Sequence, residues 1–254
     1  MEKGKKIFIG GNWKCNGNKS FISSYEEIVK SFEFDKDKVE VTLFPSFVHL
    51  EEVNKLFSKY NVNVGSQNIS KYGNGAFTGE TSCDLLADIG IKTTLIGHSE
   101  RRQFFGDDEE TISAKIKKAE EHGFLIVFCI GENLDQRESQ KTLEVIKSQL
   151  ETAKNSVKNW SNVVIAYEPV WAIGTGKTAS PQEAEEIHEF IRKWLETNLG
   201  NEIAYNTVRI IYGGSVTEKN CEQLIKQKNI DGFLVGGASL KKEFKQIVES
   251  YKLN

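Results

Sequence analysis

Short runs of apolar, β-branched and aromatic residues alternate along this chain with longer stretches in which apolar residues recur every three or four positions. The short runs lie at 7–11 (IFIGG), 39–44 (VEVTLF), 62–66 (VNVGS), 93–97 (TTLIG), 124–131 (FLIVFCIG), 163–168 (VVIAYE), 208–214 (VRIIYGG) and 230–237 (IDGFLVGG). Each has the length and residue types of a buried strand, which gives eight candidates. Between them the spacing is helical. Phe21, Tyr25, Ile28 and Phe32 fall at steps of three and four; Ile112, Ile116 and Ala119 do so within 109–121, and Val145, Ile146, Leu150 and Ala153 within 142–157. Ser180-Pro181 followed by Glu183 predicts a helix start, with serine as N-cap, proline in the first turn and an acid near the positive end of the dipole. Strand and helix alternating eight times predict an α/β chain, a single (β/α)8 barrel of parallel strands over residues 1–254. An open doubly wound sheet stays in play, because periodicity does not report closure.

Composition narrows the possibilities. Hydrophobic residues make up 39% of the 254, charged residues 27%, and the formal net charge is -3, so nothing electrostatic points to nucleic acid or an anionic membrane. The longest apolar run, 124–130, is far too short to span a bilayer, and the first residues do not read as a secretory signal. Cys15, Cys83, Cys129 and Cys221 are widely spaced, and His49, His98, His122 and His188 include no close pair. No disulfide framework or zinc pattern is expected, and the thiols read as those of a cytoplasmic protein.

In a parallel barrel the chemistry gathers just past the C-terminal ends of the strands. Five such ends carry unusual residues: Asn12-Trp13-Lys14, His98-Ser99-Glu100-Arg101, Glu168-Pro169, Gly213-Gly214-Ser215 and Gly236-Gly237. Glu168 ends an apolar strand, and its burial is expected to raise its pKa towards that of a general base. His98 can accept and donate a proton, and a helix starting at Ser99 or Glu100 would hold its ring neutral. Lys14 supplies a fixed positive charge. The paired glycines after strands 7 and 8 are expected either to bring backbone N–H groups to a phosphate or to make tight turns at positive φ. The stretch 174–179 (GTGKTA) fits only the end of a nucleotide loop, because Trp171 stands where the first glycine is required. Its match to the dinucleotide pattern begins six residues after Glu168, too far from the strand.

GGNWKCNG (10–17), GAFTGE (75–80), IGHSERR (96–102), CIGE (129–132), YEPVWAIGTGK (167–177), IIYGGSV (210–216) and LVGGASL (234–240) together resemble the motifs of the triosephosphate isomerase family, in order and over nearly the whole chain. The resemblance implies interconversion of dihydroxyacetone phosphate and D-glyceraldehyde 3-phosphate without metal or organic cofactor. It makes Glu168 the base and His98 the neutral electrophile. Asn12 and Lys14 stabilise the enediolate, with Lys14 also facing the phosphate. Gly174, Ser215, Gly236 and Gly237 bind the phosphate, and Ser99 and Glu100 support. The glutamate base, the neutral histidine and a water-excluding lid, here Ala172 to Gly176 between hinges at 169–171 and 177–179, are established for this family and come with the resemblance. It also implies a homodimer in which the loop 67–80, with Thr78, reaches the partner's Asn12-Lys14 region. Cys83 and Lys242 stand where members often have proline, and Cys15 where many have methionine, which makes it a candidate interface thiol. Two other readings remain: a barrel lyase or aldolase using Lys14 as a Schiff base, and a nucleotide-binding protein on the same fold.

Overall fold

The computed structural model describes residues 5–172 and 179–253. Eight parallel strands are present: β1 (Ile7–Asn12), β2 (Val39–Phe44), β3 (Val62–Val64), β4 (Thr93–Ile96), β5 (Leu125–Ile130), β6 (Val163–Tyr167), β7 (Arg209–Tyr212) and β8 (Gly232–Val235). All eight predicted runs are strands. Their order around the sheet is β3-β2-β1-β8-β7-β6-β5-β4, so the first strand lies between the second and the last. The two ends meet through Ser66 and Thr94: Ser66 N–H donates to Thr93 O (2.8 Å), Leu95 N–H to Ser66 O (2.9 Å), and the two hydroxyls are 2.9 Å apart. The sheet is therefore a nearly closed barrel with helices between its strands, not an open doubly wound sheet.

Side-chain alternation builds two cores. Phe8, Phe44, Leu95, Val127, Val164 and Ile211 form a cluster of their own, and the intervening strand residues such as Ile9, Ile126 and Ile165 join the larger core shared with the helices. Both faces of most strands are thus buried, which is why they read as largely apolar runs, while β3 leaves Asn63 exposed between Val62 and Val64. At Gly232 (φ 134°) an added methyl would lie 2.0 Å from Phe8 O, so only glycine lets β8 pair with β1.

Three of the longer helices start at side-chain caps, and the start predicted at Ser180 is among them. Asn18 accepts from Phe21 N–H at the start of Lys19–Lys30, and Asp108 from Thr111 N–H at the start of Glu109–Glu121. Ser180 and Glu183 form a reciprocal capping box at the start of Pro181–Leu199. Each such cap contributes about 1 kcal/mol. No described helix is long and apolar enough to cross a membrane.

Candidate active site

The strand ends bring the predicted residues to one rim. Asn12 closes β1 and Lys14 follows it; His98 lies two residues past β4, Glu168 one past β6, Ser215 three past β7, and Gly236 and Gly237 directly after β8. Asn12, Lys14, His98, Glu168, Ser215, Gly236 and Gly237 line a single cavity of about 370 Å³. Ser99 and Glu100 begin the helix Ser99–Phe104 beside it. Gly174, the lid tip and the second hinge fall wholly or mainly within 173–178, outside the described residues. Thr78 is exposed in the loop 67–80 and does not line this cavity.

Lys14 has a left-handed backbone (φ 53°), which costs a non-glycine residue about 1–2 kcal/mol. Several contacts hold it there. Its N–H donates to Asn12 Oδ1 (3.0 Å), and its carbonyl accepts from Gln67 Nε2 (2.8 Å). Its ammonium meets Glu100 Oε1 at 2.6 Å. Because the Asn12 oxygen accepts from Lys14, its amide NH2 is the end available to another acceptor.

Glu168 is only 2% exposed. Its N–H donates to Ile130 O (2.7 Å), and its carboxylate accepts from Ser99 N–H (3.1 Å) and Ser99 Oγ (3.4 Å) and lies 3.0 Å from His98 Nε2. His98 is itself the N-cap of Ser99–Phe104, its Nδ1 accepting from Glu100 N–H at 3.3 Å. The helix start predicted at Ser99 is present. A ring nitrogen that accepts a main-chain N–H carries no proton, so the neutral ring holds its proton on Nε2, facing Glu168.

The expected pKa directions are reversed. Burial disfavours charge on Glu168, but the His98 ring, its hydrogen bond and the Ser99 N–H outweigh it and hold the carboxyl below its ordinary value. Burial likewise disfavours imidazolium at His98, yet the Glu168 charge and hydrogen bond lift the ring above its ordinary value. Sequence shows that both groups are buried; it does not show that they touch. The two titrate as a pair.

The glycines after β7 and β8 do not make the tight turns at positive φ, one of the two expectations for them. None of Gly213, Gly214, Gly236 and Gly237 has a positive φ. For the pair after β7 the reason is space: a methyl on Gly213 would come 3.0 Å from Glu168 Cγ, and one on Gly214 would come 2.2 Å from the Tyr212 hydroxyl, whereas one on Gly236 would meet only the Lys14 stem at 3.5 Å and one on Gly237 would meet nothing within 4 Å. The expected helix N-termini behind them are modest. A single 3-10 turn (Gly237–Leu240) follows β8, and the next α-helix after β7 starts only at Cys221.

Two elements of the site escape sequence reasoning. Gly131 packs so closely on the chain after β6 that a methyl would lie 1.7 Å from Glu168 O; only its place in the CIGE motif hinted at it. Glu132, fully buried, accepts from Tyr167 Oη (3.2 Å) and Trp171 Nε1 (2.9 Å), which anchors the residues following Glu168. A larger hollow of about 560 Å³ lies on the far side of Glu168. It holds none of Asn12, Lys14 or His98, and among the described residues the cation on its wall is Arg102, bound to Gly97 O (2.7 Å) and Glu109 (2.5 Å).

Comparison with known proteins agrees with this geometry. The family model described as triosephosphate isomerase matches residues 7–251. A triosephosphate isomerase from Zygosaccharomyces bailii is 48% identical over 246 residues, 97% of this chain and 98% of the relative. The cytosolic triosephosphate isomerase of Oryza sativa subsp. japonica is 45% identical over 248 residues, covering 97% of each. The chloroplastic one of Secale cereale is 47% identical over 236 residues, 93% of this chain and 78% of the relative. A family match across nearly the whole barrel, together with that cavity, makes this chain a member of the triosephosphate isomerase family.

Proposed function

We propose that this chain interconverts dihydroxyacetone phosphate and D-glyceraldehyde 3-phosphate. The observation that carries the reading is one cavity in which a buried carboxylate, an imidazole in contact with it and an ammonium face a glycine-lined wall. The phosphate rests on main-chain N–H groups of Ser215, Gly236 and Gly237, with that of Gly174 added by family resemblance, and Lys14 supplies the counter-charge. Glu168 takes the proton from the carbon beside the carbonyl. The electron pair moves to the carbonyl oxygen, and the enediolate is held by His98 Nε2–H, the Asn12 amide and Lys14. His98 passes a proton between the two oxygens. Glu168 then returns its proton to the neighbouring carbon, so atoms and electrons balance within the substrate.

Substrate entry has to part Glu168 from His98. Once the carboxylate turns to the substrate carbon, His98 loses the larger of the two carboxylate influences that lift its pKa, keeping only that of Glu100. Burial and the helix N-terminus remain, and both favour the neutral ring. The carboxylate loses the imidazole and Ser99 contacts that hold it low and becomes a stronger base.

The same reading includes a homodimer in the cytoplasm. Val48, Tyr72, Phe77 and Leu85 expose large apolar surface on or beside the loops after β2 and β3, where the loop 67–80 would meet a second copy. Sedimentation at the mass of one chain would remove the dimer, and membrane or organelle association on fractionation would remove the location.

The activity is tested by incubating purified protein with D-glyceraldehyde 3-phosphate and following dihydroxyacetone phosphate through an NADH-coupled reductase. Rapid NADH oxidation is expected. A rate equal to the buffer blank sinks the isomerase reading, and borohydride trapping of substrate on Lys14 would turn it towards an aldolase.

A further inference from the structure

Lys14 is a left-handed lysine at the centre of the cavity, and its backbone has to be held against its own preference. Asn12 holds the N–H side. The carbonyl side is held from a different part of the chain: Gln67 Nε2, three residues past β3, donates one proton to Lys14 O at 2.8 Å and the other to Phe44 O at 2.9 Å. Phe44 O also accepts from Trp13 N–H at 3.1 Å. One amide nitrogen thus joins the ends of β1, β2 and β3, and both its protons go to main-chain carbonyls. That fixes the orientation of the amide, since its oxygen cannot face two carbonyl oxygens.

We infer that Gln67 is a positioning residue for the proposed isomerisation: it touches no reacting atom and acts by holding the Lys14 backbone in the conformation that aims the ammonium across the cavity. This rests on the isomerase reading for its consequence but not for its geometry. Among the described residues the ammonium end pairs with Glu100 alone, and the two side chains are 29% and 39% exposed. The stem passes Gly236, where an added methyl would sit 3.5 Å from Lys14 Cε. The aim of the ammonium is therefore set at the backbone. Glutamine suits the task because it offers two donors from one atom. Glutamate at the same position would set acceptor oxygens against two carbonyls, and methionine would fill the volume with no donor.

The test uses Gln67→Met and Gln67→Glu in the full chain, with Asn54→Leu as a control that removes another half-buried amide bonded to a main-chain carbonyl, Ile89 O. Expected for both Gln67 variants is a loss of about 10²-fold in kcat/KM, the size of effect an ångström of misplacement produces. Competitive inhibition by inorganic phosphate should weaken, because the ammonium no longer faces the anion. The unfolding midpoint should move no more than in the control, which keeps full activity. A kcat/KM within threefold of wild type overturns the inference, as does a loss of rate with unchanged phosphate inhibition. If the wild type itself does not isomerise, the isomerase reading fails separately, and a crystal structure of Gln67→Met decides the positioning claim. Lys14 should have left the left-handed region; a φ still near that of the wild type overturns it. If Gln67→Met does not fold, Gln67→Glu carries the same measurements.

Discussion

The two ends of the barrel both carry charge, but they use it in opposite ways. At the N-terminal end Arg192 is 2% exposed and fully committed: its guanidinium donates to Ala204 O (2.5 Å), Val208 O (2.9 Å), Asn229 O (3.3 Å) and Asp231 Oδ2 (2.5 Å). Asp231 accepts in addition from Lys5 (3.2 Å) and Ile210 N–H (2.8 Å), and Arg209 pairs with Glu40 while lying over the Phe8 ring. At the C-terminal end the Lys14–Glu100 pair is partly exposed, and Glu168 rests on His98 in a contact that, in the proposed reaction, substrate would break. Charge that is saturated by neighbours fixes strands in place. Charge that can exchange partners is left where a ligand supplies the exchange. The same fold can stabilise and react because the two kinds of ion pair sit a strand's length apart.

The largest effects should separate these roles completely. Glu168→Gln removes the base and keeps the shape, so kcat should fall about 10²–10⁴-fold, while the urea midpoint stays near that of wild type. An unchanged kcat in the coupled assay would take Glu168 out of the mechanism. Arg192→Met should do the reverse. It strips one partner from a buried pair, which costs about 3–5 kcal/mol of stability, and it touches nothing in the cavity, so kcat on the folded fraction should hold within a few-fold. If urea denaturation of Arg192→Met shows less than 1 kcal/mol lost, the view of this end as the fold's clamp is wrong.

The contrast between the ends also explains how far the sequence could be read. All eight strands were legible because a parallel barrel buries both faces of most of its strands, leaving largely apolar runs. Closure was not, since it depends on Ser66 and Thr94, two ordinary polar residues whose meeting is a tertiary fact. Asn12, Lys14, His98, Glu168 and the paired glycines stood out as unusual residues at strand ends, and the structure brings them around one cavity. Gln67 did not, because in sequence it is one polar residue at the start of a polar loop. Nor did the pKa directions, because burial is visible in a pattern and a 3.0 Å contact between residues seventy apart is not. Asp231 and Arg192 carry no motif at all.

A smaller effect lies between the two ends. His188 is fully buried, edge-on to Tyr167, with Nδ1 3.2 Å from Asn229 O and with Arg192 and Asp231 nearby. Burial lowers its pKa from 6.5 to about 4. The unfolded chain binds a proton in this window and the folded protein does not, so stability is complete above pH 6.5 and is lost as pH falls towards 4. Between pH 7 and pH 5 the His188 contribution should be a loss of about 2 kcal/mol. His188→Gln keeps a donor for Asn229 O and does not titrate, so its urea midpoint should depend less steeply on pH. Equal slopes for the two proteins would assign the acid sensitivity elsewhere.

The smallest expected effect is the sharpest test of the comparison, because it removes an ion pair of good geometry. Lys14 and Glu100 meet at 2.6 Å, almost the distance of Arg192 and Asp231 at 2.5 Å. Distance alone would give the two pairs equal weight. Their side-chain exposures are 29% and 39% against 3% and 15%. Water screens the first pair and solvates either partner left behind, whereas removing Arg192 strips the donor from buried carbonyls of Ala204, Val208 and Asn229 and leaves Asp231 to Lys5 and Ile210 N–H. Glu100→Gln should therefore cost less than about 1 kcal/mol of stability, several-fold below the cost of Arg192→Met in the same urea measurement. A loss at Glu100 as large as at Arg192 would mean that the rim is held by its charges after all, and the division between a fixed end and an exchangeable end would fail.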